Sequence, residues 1–143
     1  MIRRAWNWKE ASLEKGTVSE LAFRFEVGLY DAALAGNPAD IELLATLADI
    51  YAKRGLHEKG LEIDLKLVQI RPKEAVFHYK LACSHSLLGH IDPAFQALTQ
   101  ALQLGYNKID HLRQNPDLDN LKKDSRYREI LETLHKQSKK IKG

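Results

Sequence analysis

A self-similarity with a period of 34 residues constrains this chain more than any other feature of its sequence. At that offset Pro38 meets Pro72, Leu47 meets Leu81, Ala48 meets Ala82, Gly55 meets Gly89 and Gln69 meets Gln103. Where identity is lost, apolar character persists: Leu43 faces Phe77, Leu61 faces Phe95, Val68 faces Leu102 and Ile70 faces Leu104. A repeat of this length is one supersecondary unit that cannot bury its own hydrophobic face and needs a like neighbour to do so.

Within each copy the apolar spacing is helical. Leu44, Leu47, Ala48 and Tyr51 fall on one helix face; in the second half Leu61, Leu65 and Val68 form one stripe and Ile63, Leu67 and Ile70 a neighbouring one. That second helix therefore reads as apolar over a wide arc. Gly55 and Gly89 separate the halves, and glycine accepts the left-handed conformation that closes a helix, so each copy reads as helix, tight turn, helix. Asp92 before Pro93 predicts a capped helix start, and Asn37 before Pro38 a similar one.

The run "LLATLADIYAKRGLHEKGLEIDLKLVQIRP" places Leu44, Leu47, Ala48, Tyr51, Gly55, Gly60, Leu67 and Pro72 where the tetratricopeptide repeat has its large, small, aromatic, turn and terminating positions. The chain resembles that family from Ile41 to Tyr106. The second copy keeps Leu81, Ala82, Gly89, Ala94, Leu98 and Ala101, but has His78 and His85 at bulky apolar or aromatic positions and Tyr106 in place of the closing proline. The resemblance implies an all-α, right-handed superhelical stack of helical hairpins with capping helices at both ends. As one domain over 1–143, the chain divides into an arm (1–16), an N-terminal capping helix (17–36) opened by a capping box at Thr17 and Glu20, repeats at 37–72 and 73–106, and capping helices with a basic tail (107–143). In the last segment short helices are expected near Ile109 to Arg113 and Pro116 to Leu121. A final helix is expected from about Ser125 to Lys136, with Asp124 as its cap.

Composition narrows function mainly by exclusion. With 22 basic and 19 acidic residues the net charge of +3 is too small to argue for nucleic acid or an anionic membrane. The single cysteine, Cys83, rules out an internal disulfide framework and points to a reducing compartment, with the cytoplasm as the default. Neither an export signal nor a membrane span is legible. His78 and His85 lie seven residues apart, about 10 Å along one helix, too far to ligate one metal together. No strand precedes a glycine-rich phosphate loop and no serine sits in a nucleophile elbow. The reading is of a non-enzyme with no cofactor, no metal and no small-molecule substrate.

Binding is argued from geometry, because stacked hairpins curve and the first helix of each pair lines the concave side. Carried over position by position, that surface is expected to hold Glu42, Asp49 and Lys53, with Ala45 and Ala52, from the first copy, and Val76, Tyr79, Cys83, Ser86 and Leu87 from the second. Tyr79 and Leu87 read as partly exposed apolar anchors and the carboxylates as acceptors, which suits an extended or helical protein segment bearing basic groups. Family members that grip the C-terminal carboxylates of chaperones use lysine and asparagine where this chain has Ala45, Asp49, Tyr79 and Cys83, so that ligand is not expected. A different class of partner, RNA or the ribosome, is suggested by "RRAWNWK", with Trp6 and Trp8 among cations, and by Lys139, Lys140 and Lys142. A docked or disordered arm and lysines complementing a helix dipole are the preferred readings of these termini. A monomer or weak dimer is expected. Asp64 stands where Leu98 stands in the second copy, an apolar position, so it is expected either to pair with His78 across the repeats or to remain in water.

Overall fold

The computed structural model describes residues 15–142, and side chains from 18 to 140. It contains α1 (Lys15–Gly36), α2 (Ile41–Lys53), α3 (His57–Ile70), α4 (Ala75–Leu87), α5 (Ile91–Gln103), α6 (Ile109–Gln114), a 3-10 helix (Pro116–Leu121) and α7 (Ser125–Lys142), with no strand among the described residues. The chain forms two compact units, residues 1–43 and 44–143, where the sequence reads as one domain. In the first, α1 is already helical at Lys15, two residues before the expected start at Thr17. Its apolar residues Val18, Leu21, Phe25 and Leu29 are exposed, Phe25 by 71%.

The second unit carries the repeats. Buried residues recur at one spacing: Leu44, Leu47, Ala48 and Tyr51 on α2, Gly60, Ile63, Asp64 and Leu67 on α3, and Ala94, Ala97, Leu98 and Ala101 on α5. The α3 and α5 sets coincide at the 34-residue offset, so the repeat exists in packing as well as in sequence. The wide apolar arc expected of α3 holds in part: Leu61 and Val68 are half-buried against the core, whereas Leu65 is 41% exposed and Ile70 is also exposed. The helix with the wide buried arc is α4, which buries Tyr79, Leu81, Ala82, Cys83 and Ser86. It contacts α3, α5 and the 3-10 helix, and a helix with neighbours on several sides needs more than one stripe.

The turns follow from glycine. Gly55 (φ 72°) and Gly89 (φ 77°) adopt the left-handed conformation. The Leu56 N–H donates to the Tyr51 carbonyl and the Gly55 N–H to that of Ala52; 34 residues later His90 donates to His85 and Gly89 to Ser86. These are paired Schellman closures, which satisfy carbonyls the helix end leaves without partners. Gly105 (φ 103°) repeats the closure after α5, with Tyr106 donating to Ala101.

Helix starts depart from expectation in two places. The Asp40 carboxylate, rather than Asn37, accepts from the Leu43 N–H, so Asn37 and Pro38 lie in the preceding turn. α5 begins at Ile91 after His90, which places Asp92 inside the first turn and Pro93 at its third position. Proline is tolerated there because the N–H groups of the first turn have no intrahelical partner. Asp124 is the expected cap, accepting from the Arg126 N–H at 3.0 Å.

Candidate partner-binding groove

α2, α3 and α4 enclose a cavity of about 250 Å³. From α2 it is lined by Ala48, Asp49 and Ala52; from α3 by His57, Gly60 and Asp64; from α4 by Tyr79, Lys80, Cys83, Ser84 and Leu87. Asn115 and Asp117 close it from the C-terminal cap. One wall is small because Ala48, Ala52 and Gly60 have little or no side chain.

The expected groove residues separate into three sets. Asp49, Tyr79, Cys83 and Leu87 line the cavity, together with Ala52. Glu42, Lys53 and Val76 are exposed and are not among its lining residues, and Glu42 belongs to the N-terminal unit. Ser86 is fully buried on α4, so it does not present a concave surface. Its carbonyl accepts from Asn120 Nδ2 at 2.7 Å.

Tyr79 corrects a second expectation. It is only 8% exposed and stacks on Tyr106, ring centroids 4.3 Å apart and 14° from parallel. Without a closing proline after α5, the Gly105 turn brings Tyr106 inward, and its buried ring covers the face of Tyr79 that was expected to meet a partner. Asn115 Nδ2 donates to Tyr79 Oη at 2.8 Å and to Cys83 Sγ at 3.5 Å, while Asn115 Oδ1 accepts from the Asp117 N–H as the cap of the 3-10 helix. Burial pushes the Tyr79 hydroxyl far above its ordinary value and the Cys83 thiol up to about 12. Neither ionises near neutrality, which leaves Cys83 without thiolate character.

Asp64, which sequence reasoning marked as an anomaly, is neither paired with His78 nor in water. It is 4% exposed, and its Oδ2 accepts from Ser84 Oγ at 2.6 Å. His78 turns to the turn between repeats, where its Nε2 lies 2.7 Å from the Pro72 carbonyl oxygen. The reason is the setting of α4, which buries Leu81 and Ala82 as an exact copy of α2 would, but buries Tyr79, Cys83 and Ser86 in place of His78 and His85. Burial raises the Asp64 carboxyl to about 6, against the lowering effects of the Ser84 hydrogen bond and the Lys80 charge. Lys80 Nζ lies 3.3 Å from Asp49 Oδ1 at the side of the same cavity. His85, the other histidine departure, faces His90 with its Nδ1 3.2 Å from the partner Nδ1, and burial followed by the His90 charge lowers its pKa.

The C-terminal cap holds one side of the groove in place. Leu112, Leu118 and Leu121 are fully buried, and Tyr127 Oη donates to the Leu112 carbonyl at 2.7 Å. Arg126 joins α7 to α5: it sits over the Phe95 ring at 4.3 Å and contacts Asp92 and Asp124 at 2.9 Å each. Elsewhere Lys108, His111, Arg113 and His135 line an open cleft between α6 and α7, and Lys136, Lys139 and Lys140 are exposed near the end of α7. Trp6, Trp8 and the rest of the arm up to residue 14 lie outside the described residues.

Comparison with known proteins agrees with this architecture. No family model matches the chain. Over 84 residues it is 30% identical to a chloroplastic protein of Arabidopsis thaliana, a match covering 57% of this chain and 25% of that protein. The chain thus spans a quarter of the curated relative it resembles. Among solved structures, the crystal structure of MamA superposes with a TM-score of 0.65 at 21% identity, covering 81% of this chain and 68% of that one. A MamA RS-1 ArsTM double mutant gives 0.63 at 14% identity, covering 85% and 70%. The fold is all-α, a tetratricopeptide-like stack of helical hairpins. No helix among the described residues is long and apolar enough to cross a membrane.

Proposed function

We propose that this chain is a non-catalytic protein-interaction module that takes a segment of a partner protein in the groove between α2 and α4. The observation that carries the reading is the cavity itself, which combines small apolar walls with converging polar groups, Asp49, Asp64, Ser84 and Asn115. Mixed lining of this kind gives affinity through buried apolar surface and orientation through a few polar contacts. Its volume is below the roughly 300–1,000 Å³ of sites that enclose whole small molecules, so it suits one side chain of a longer segment whose remainder runs along the helices. The buried, protonated Cys83 supports the non-catalytic reading. A peptide library panned against the full chain, with binding mapped by backbone amide shifts, tests it. Selected peptides are expected to perturb Asp49, Ser84 and Leu87 and to lose binding in Leu87→Glu. Selection that converges on α7, together with RNA retention lost in Lys136→Glu, Lys139→Glu, Lys140→Glu, would replace the reading with one of nucleic-acid association.

A further inference from the structure

We infer that the cavity between α2, α3 and α4 is an anchor pocket for one basic side chain of the partner segment, with the Asp64 carboxylate as its acceptor. The inference rests on the groove reading above and names the chemistry that the groove selects. Asp64 occupies a core position: with Gly60, Ile63 and Leu67 it forms the buried stripe of α3, and its counterpart in the second repeat is the fully buried Leu98. An ionisable group there is costly unless its hydrogen-bonding capacity is met. Only part of that capacity is met. Ser84 satisfies Oδ2, and no described residue donates to Oδ1, although a carboxylate offers about four acceptor sites. The side chain is more than nine-tenths buried and yet lines the cavity.

The surrounding charge points to the same guest. Three carboxylates, Asp49, Asp64 and Asp117, line the cavity against Lys80, whose ion pair is with Asp49, and the imidazole of His57. The walls suit the rest of a basic side chain, since Ala48, Ala52, Gly60 and Leu87 offer an apolar channel for its aliphatic stem while the charged end reaches the acceptors. A cation seated on Oδ1 would supply the counter-charge that burial withholds, and charge-assisted hydrogen bonds to a carboxylate are about twice as strong as neutral ones. Lys80 is then a competitor for the same field.

The test is titration of the full-length chain with acetyl-Gly-Arg-Gly-amide, its lysine counterpart and its citrulline counterpart, which keeps the shape of arginine without the charge. Backbone amide shifts are followed at Asp64, Ser84 and Leu87. The arginine or lysine probe is expected to perturb these amides at least tenfold more tightly than citrulline. Asp64→Asn, which keeps an acceptor for Ser84 and the fold, is expected to remove that preference, and Lys80→Gln to tighten binding severalfold. Equal affinity for citrulline, an unchanged preference in Asp64→Asn, or shifts confined to other surfaces would each overturn the inference. Library peptides that map onto Asp49 and Leu87 without basic residues would overturn it while leaving the groove reading intact. A charged probe that binds at Asp64 while library peptides map elsewhere would uphold the pocket and remove the groove.

Discussion

Asp64 shows what a single residue takes from its surroundings. Its folded-state carboxyl, raised by burial from 3.8 to about 6, binds a proton more readily than the unfolded chain does. Stability linked to this group is therefore present at acid pH and declines as pH rises from about 4 to about 6. Asp64→Asn removes that decline: near pH 4 it is expected to match the parent, and at pH 7 to exceed it by roughly 2–3 kcal/mol in urea unfolding. Asn115 works in the opposite sense, since one side chain caps the 3-10 helix and satisfies the buried Tyr79 hydroxyl. Asn115→Ala should cost about 1–2 kcal/mol, from the lost cap and the lost hydrogen bond to the Tyr79 hydroxyl. The anomaly at Asp64 was legible in the sequence because it interrupts a periodic apolar position. Its partner was not. Periodicity cannot tell whether Ser84 or His78 faces α3, since both are polar residues beside the same apolar stripe and the sequence does not fix how α4 is set against its neighbour.

Elements are decided by backbone chemistry that sequence records unevenly. Gly55 and Gly89 announced the two hairpin turns because few residues other than glycine enter the left-handed region, and the paired closures around them coincide at the repeat offset. Helix starts were harder to place, because Asn37, Asp40 and Asp92 are all competent caps and only Asp40 accepts from its own helix. The same logic separates three glycine substitutions. Gly55→Ala and Gly89→Ala should each destabilise by about 1–2 kcal/mol, the cost of a Cβ in left-handed backbone. Gly60→Ala should stabilise by about 0.5–1 kcal/mol. Gly60 is inside α3, an added Cβ would meet Tyr51 Cβ at 3.9 Å in ordinary contact, and the second repeat already has Ala94 there. Thermal unfolding of the three variants decides the order.

At the scale of the whole molecule the division at residue 43 predicts unequal stability. The unit from Leu44 onward owns the buried core, whereas α1 leaves Val18, Leu21, Phe25 and Leu29 exposed. Hydrogen exchange is expected to be faster throughout α1 than in α3, α4 and α5, and Phe25→Ser with Leu29→Ser should change global stability by no more than about 0.5 kcal/mol. The capping of the C-terminal end was legible in outline, since Ile109, Pro116 and Ser125 each open the helix expected of them. The inward turn of Tyr106 was not, because a missing proline says only that the chain is free to go elsewhere. That turn gives the array a direction of growth. A further hairpin spliced after Gln103 would displace a ring stacked on Tyr79 and the three buried leucines of the cap, so lengthening by whole modules has its natural seam between Ile70 and Ala75. A module inserted there would part Asp64 from Ser84 and set a new helix against the carboxylate. The joint is keyed: an insert that carries a hydroxyl at the Ser84 position fits the lock, and one built from apolar consensus residues leaves a buried carboxylate with nothing to hold.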